Sequence, residues 1–216
     1  MDFGLAFRYV FMDKAWLKKL AIPALWGLVP VVGVLVLGGW GLKVGKLVID
    51  GHQENELPKV EFGADLRRAF FASLIDLIYA LPAAIFFAVT VVVSRVAFNA
   101  EGLTRGLLMI LGGLSGLVGL LLFALWFLVG SAAFANFLAK DHFGAAFKFR
   151  ELIELLKNSF GSWVLVILGQ FVAMMILAPM GVLFFGIGLL FTTAYAAVFW
   201  SHLLGQAYLK STTPVE

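Results

Sequence analysis

Asp76 is the only acid inside an uninterrupted apolar stretch of this 216-residue chain. A carboxylate at membrane depth is costly to desolvate, so one that persists there is a candidate for proton transfer or ion transport. Asp76 lies only about two helical turns from the start of its block, within reach of headgroup water or a nearby cation. A structural or interfacial role is therefore expected ahead of a transport role. His202 and Gln206 are one helical turn apart and share a face. With Tyr208 they sit at the end of the last apolar run, where a satisfied interfacial pair is the expectation. A lone histidine is not a metal site, which needs three or four ligands. His52, Glu54 and Glu56 alternate in a way that could hold a divalent ion, but Gly51, Asn55 and Pro58 beside them read as a solvated turn. Asp141-His142 reads the same way. Neither histidine stands near a serine or a second base as nucleophilic catalysis would require.

Cysteine is absent, which excludes disulfides, iron–sulfur clusters, thiolate metal sites and thiol catalysis. With no polar cluster at one depth, no enzyme, cofactor or metal is expected. The glycines Gly112, Gly113, Gly116 and Gly119, with Ser115, form a small-residue surface. Gly41 and Gly45 form a second small-xxx-small pair. They lie in apolar helical runs without the strand, loop and lysine of a phosphate cradle, so close helix packing is their expected use. Gln170 and Asn136 are isolated polar groups suited to interhelical hydrogen bonds.

The elements that must carry these residues are membrane helices. Hydrophobic residues make up 62% of the chain and charged ones 13%. A soluble domain could not bury that much apolar surface. Four blocks, 20–49, 70–98, 106–139 and 163–209, each exceed the roughly 20 residues of one crossing. The last is about twice that length and contains Pro179 and Gly181, which predicts two helices near 163–179 and 182–209. The first either crosses once or turns back as a hairpin at Pro30-Val31-Val32-Gly33. A single crossing divides the sixteen Lys and Arg residues ten to six. A hairpin puts every cation except Arg95 and Arg105 on one side, the cleaner split under the positive-inside rule.

The expected fold is all-α: a polytopic transmembrane helical bundle of five to six membrane helices, arranged as three hairpins with interfacial amphipathic helices. Residues 1–216 form one integral membrane domain, expected to carry no cleavable signal peptide. Its long loops and both termini are expected to be cytoplasmic, and the protein to be multi-pass in the cell membrane. Phe3, Phe7, Val10 and Phe11 have helical amphipathic spacing, as do Phe62, Leu66, Ala69 and Phe70. Phe149, Leu152, Ile153, Leu156 and Phe160 form a third such face, opposite Arg150, Glu151, Glu154 and Lys157. Such helices lie well in a headgroup layer. Ala6-Phe7-Arg8-Tyr9 echoes Ala146-Phe147-Lys148-Phe149, which suggests a threefold repeat of interfacial helix and hairpin or a chance likeness of two aromatic amphipathic helices.

Several short motifs occur in a fixed order: Phe7-Arg8-Tyr9, Trp16-Leu17-Lys18-Lys19, Val29-Pro30-Val31-Val32-Gly33, Gly38 through Gly51, and Glu56-Leu57-Pro58. Tyr79-Ala80-Leu81-Pro82 and His202-Leu203-Leu204-Gly205-Gln206-Ala207-Tyr208 come after them. In these the chain resembles a family of bacterial and archaeal membrane proteins classified only as a domain of unknown function (DUF4013). The resemblance covers nearly the whole chain. It implies an integral membrane protein of five or six helices and implies no activity. After Pro58, where the family's loop is usually acidic and rich in tryptophan, this chain has Lys59-Val60-Glu61-Phe62.

No loop is a dense basic patch, so nucleic acid is not an expected partner. The lipid bilayer is, together with other membrane proteins or a second copy of the chain. The expected function is a non-catalytic scaffold or accessory subunit of a membrane assembly. The competing expectation is a small transporter or lipid-handling protein.

Overall fold

The computed structural model describes residues 1–51, 56–183 and 187–213. These residues are helical with short connections and no strand. In order come α1 (Phe3–Met12), α2 (Trp16–Trp26), α3 (Val32–Ile49), α4 (Phe62–Phe98), α5 (Gly102–Lys140), a short 3-10 helix (Phe143–Phe147), α6 (Phe149–Asn158), α7 (Phe160–Leu183) and α8 (Ile187–Thr212). Within the one domain expected, packing separates two compact units. One is Met1–Ser73 with Ser131–Glu216, and the other is Leu74–Gly130.

In the first unit α8 is the central element, touched by α1, α2, α3, α6 and α7. Its seam with α3 is nearly backbone to backbone. A Cβ placed on Gly41 would stand 2.7 Å from that of Ala197, and one on Gly45 would meet the Ser201 carbonyl oxygen at 2.7 Å. Gly205 answers from the other side, where a Cβ would press on Val48 at 2.7 Å. The Gly45 amide also donates to Ser201 Oγ at 2.9 Å. The small-residue pair on α3 thus has its counterpart inside the same chain, in Ala197, Ser201 and Gly205, which also recur at every fourth residue. With no water to drive helices together in lipid, such close contact supplies the dispersion energy that holds them.

The first apolar block is a helical hairpin. α2 ends at Trp26, the chain turns through 27–31, and α3 begins at Val32. Gly33 packs against the Trp26 carbonyl, an approach that leaves no room for a side chain. The start of α2 also meets the segment that leads into α4: Asp13, just before α2, accepts from the Leu57 amide at 2.8 Å, and Lys19 pairs with Glu56 at 3.1 Å. α2 has 11 residues, so it is about 16 Å long, half the depth of a bilayer core.

Two elements differ from their sequence expectations, and α1 gains a partner the sequence did not show. The stretch at 62–70 is no separate helix but the opening turns of α4, which runs unbroken for 37 residues. α1 lies along α8 and keeps Phe7 and Phe11 exposed. Ala6, Tyr9 and Val10 are buried, Phe7 meets Tyr195 and Phe199 edge-on, and the Tyr195 hydroxyl donates to the Phe7 carbonyl. α7 does not stop at Pro179 but continues to Leu183. A proline this near a helix end forfeits one hydrogen bond without breaking the final turn. Gly181 lets α8 approach, since a Cβ there would meet Leu189 and Thr192 within 2.9 Å. The echo between residues 6–9 and 146–149 has no common structure: the former lie within α1, the latter span the end of the 3-10 helix and the start of α6.

The second unit is the antiparallel hairpin of α4 and α5. Ser115 Oγ donates to the Phe86 carbonyl at 3.0 Å, and Phe87 meets Phe123 edge-on. Gly112, Gly116 and Gly119 turn toward Ser94, Thr90 and Phe87 of α4, whereas Gly113 has open space beside it. Across both units, α3, α4, α5, α7 and α8 are long and apolar enough to cross a membrane.

The α3–α8 seam generates a test. Gly45→Leu must displace the Ser201 backbone, and overpacking of this kind costs about 1–3 kcal/mol. Gly38→Ala, on an α3 position with nothing within 4 Å, should leave stability unchanged. Thermal unfolding in mild detergent checks both, and equal melting of Gly45→Leu and wild type would show that the seam does not hold the unit together.

Candidate functional site

The buried polar groups gather at chain junctions of the first unit. The most enclosed is Asp65, whose carboxylate is completely buried one turn into α4. It reaches back to the Glu61 amide at 2.7 Å, closing the start of the helix. Lys43 of α3 pairs with it at 2.9 Å and Arg68 at 3.2 Å. Lys43 also binds the Lys59 carbonyl at 2.9 Å and approaches Glu61 at 3.5 Å. Asp65 sits here because Gly39 lets its backbone rest directly on α3. Trp40, also fully buried, donates to the Pro58 carbonyl at 2.8 Å, so the segment before α4 is laid along α3. Sequence reasoning missed Asp65, because it lies in a polar stretch outside the apolar blocks. Its one signal is the spacing Glu61-x3-Asp65 ahead of a long apolar run.

A second cluster ties α1, α2 and the loop after α3. Asp13 is nearly buried, pairs with Lys19 at 2.8 Å, and accepts from the amides of Ala15 and Leu57. Burial alone would push its carboxyl up, but Lys19 and the two amides outweigh it and hold Asp13 below the usual carboxylate range. The Tyr9 hydroxyl donates to the Glu56 carbonyl at 3.3 Å, and its ring lies 4.8 Å from that of His202. His202 is buried, and its Nδ1 is 3.0 Å from Gln206 Nε2. Gln206 also takes the Asp2 amide at 2.6 Å and donates to the Asp2 carbonyl at 2.9 Å. His202 and Gln206 are thus brought together, and they clamp the start of α1 to α8.

The third cluster holds α6. Asn136, buried on α5, donates to the Ala145 carbonyl at 2.8 Å and to Glu151 at 3.0 Å. Glu151 also pairs with Lys140 and with Lys148. The hydrogen bonds from Lys140 and Asn136 hold its carboxyl down at about 2. Leu152 and Leu155 bury one side of α6, while Phe149 and Ile153 remain exposed.

The remaining sequence candidates stand apart from these clusters. Asp76 belongs to the hairpin unit, half-buried, and accepts from the Trp126 indole at 3.1 Å. Gln170 Oε1 is buried with no hydrogen-bond partner among the described residues, so that atom makes no interhelical bond. His52 and Glu54 lie outside the described residues. Among the described residues no group of three His, Asp or Glu side chains could hold a metal ion.

Each cluster joins two or more chain segments through a carboxylate or an amide. Five apolar helices and these internal clamps define an all-α, multi-pass membrane protein. Residues 22–191 match the family described as Protein of unknown function (DUF4013), and the chain belongs to that family. No curated protein and no solved structure matches it.

Two consequences are measurable. Asp65→Ala takes from the buried Lys43 ammonium its closest carboxylate and leaves only the more distant, exposed Glu61, a change that costs up to about 3–5 kcal/mol. Adding Lys43→Met removes the stranded charge and should recover much of the loss; a fully stable Asp65→Ala single variant would overturn this role for Asp65. For Glu151 the carboxyl is held below its ordinary value of 4.5. Its contribution to stability is therefore complete above that value and is lost as pH falls toward about 2. Melting temperature should drop more between pH 4.5 and 2 for the wild type than for Glu151→Gln, and parallel acid limbs would reject the assignment.

Proposed function

We propose that the protein is a non-catalytic scaffold or accessory subunit of a membrane assembly, and that it works by presenting the α4–α5 hairpin to other membrane helices. The observation that carries this reading is how little of the hairpin is covered. Only 6% of the most apolar stretch of α4 and 17% of that of α5 is buried. Two helices side by side leave most of each circumference to their surroundings, and here that surface is Leu, Val, Ile and Phe. Gly106 and Gly113 have open space beside them, so a third helix could come close along α5. The two most enclosed carboxylates, Asp13 and Asp65, are already committed to internal clamps, which favours a packing role for the first unit.

The protein resides in the cell membrane with its long loops and both termini cytoplasmic. Support comes from the positive-inside split, which leaves only Arg95 and Arg105 among the cations on the far side, and from the contact of Asp13, before α2, with Leu57, in the segment that leads into α4. The alternative, a small transporter or lipid-handling protein with an apolar ligand between hairpins, predicts a bound small molecule instead of a protein partner.

The cysteine-free chain permits one labelling experiment for both parts. Single cysteines at Ile110 and Leu121 should cross-link to one defined partner, or to a second copy, in native membranes. Those at Asp50 and Thr213 should react with an impermeant reagent from the cytoplasmic face, and one at Glu101 from the opposite face. Absence of any discrete adduct from the α5 positions defeats the scaffold reading, and labelling of Asp50 and Glu101 from the same face defeats the topology.

A further inference from the structure

A cleft of about 380 Å³ opens in the first unit between the opening turns of α4 and the chain that leaves α5. Its size is at the low end for small-ligand sites, suited to a compact polar group. Arg67, Arg68 and Phe71 line one wall, and Asp141, His142 and Phe143 line the other. Arg67 is exposed and has no carboxylate partner among the described residues; its guanidinium lies 5.8 Å from the centre of the Phe71 ring. Arg68 shares the single Asp65 carboxylate with Lys43, so its charge is only partly offset. Across the cleft Asp141 is exposed and has no cation partner among the described residues. It is held at φ 48, in the left-handed region where the chain leaves α5. The rings of Phe71 and Phe143, 5.4 Å apart, connect the two walls.

This is a dipolar site: two guanidiniums on one side, one carboxylate on the other, and aromatic faces between. Guanidinium groups match phosphate oxygens with paired N–H donors, and a carboxylate beside aromatic faces suits an ammonium group. In sequence, Arg67 and Arg68 immediately precede the apolar block 70–98, and Asp141 comes directly after the block 106–139 and Lys140. Both walls therefore belong to the level at which the chain passes from hydrocarbon to headgroups. We propose that this cleft binds the headgroup of an ethanolamine phospholipid, with the phosphate diester at Arg67 and Arg68 and the ammonium at Asp141. The proposal is independent of the scaffold reading, which rests on the hairpin unit.

The test uses the full-length protein in mild detergent, titrated with phosphatidylethanolamine, phosphatidylglycerol and phosphatidylcholine and read by native mass spectrometry. Phosphatidylethanolamine should be retained in preference to the other two. Arg67→Gln should weaken its binding about tenfold, and Arg67→Lys, which keeps the charge but loses the paired donors, should fall between. Asp141→Asn should abolish the preference for phosphatidylethanolamine over phosphatidylglycerol while leaving phosphatidylglycerol binding intact. Equal retention of all three lipids by the wild type, or unaltered binding by Arg67→Gln, overturns the site. If the water-soluble diester glycerophosphoethanolamine competes at equal concentration, the ligand is a soluble phosphodiester and the lipid assignment falls. Both side chains are exposed, so melting temperature and elution volume should match the wild type; a variant that melts early is replaced by Phe143→Leu, which must also weaken phosphatidylethanolamine binding for the proposal to stand.

Discussion

Helices in lipid come close only where side chains are small, and the seam between α3 and α8 depends on that rule. Gly41 and Gly45 fix which side of α3 faces α8, and the bond from the Gly45 amide to Ser201 fixes its height. Gly39 and Lys43 lie two residues out of phase with that pair, about 200° around the helix. They therefore face the other way, where Gly39 receives the backbone of Asp65 and Lys43 its carboxylate. One helix is held on both sides by two interleaved sets of positions. The first set works by removing atoms, the second by pairing charge.

The charged clamps share a common plan. Asp13, Asp65 and Glu151 each stand at a junction between helices, and each takes a cation together with a backbone or side-chain amide. Ion pairs as enclosed as those of Asp13 and Asp65 add little net stability over apolar packing, because desolvation offsets their attraction. What they fix is register: a lysine buried beside one carboxylate cannot slide a turn along its helix without stranding both. Apolar contacts alone would tolerate such slippage, since one leucine packs on lipid-like surroundings much as another does.

The membrane architecture was legible in the sequence because apolar length is a local property that needs no knowledge of neighbours. The hairpin at 20–49 was legible through its flanking lysines, and the small pair Gly41 and Gly45 through its spacing. The identity of their counterpart was not, because Ala197-x3-Ser201-x3-Gly205 becomes a surface only when α8 is set against α3. Asp65 was hidden for a related reason. It falls within a stretch read as an amphipathic interfacial helix, off that helix's apolar face, and its burial is created by Gly39, which lies in a different helix. Pro179 misled in the opposite direction: a residue that usually ends helices stands inside α7, which runs on to Leu183. α1 has the pattern of an interfacial helix, but its contacts with Tyr195 and Phe199 of α8 could not be read from that pattern.

The two halves of the first unit are separated in the chain by residues 74–130 of the α4–α5 hairpin, and Gly45 and Ser201 stand 156 positions apart. At ribosomal speeds of about 5–20 residues per second, α3 waits roughly 8 to 30 seconds for the helix that completes it. During that interval its glycine face meets lipid or the insertion machinery rather than its final neighbour, and Lys43 has only Asp65 and the loop before α4 to shield it. Assembly of the unit is thus a matter of biosynthetic timing: the hairpin is delivered to the membrane first, and α8 closes a fold that α1, α2 and α3 began.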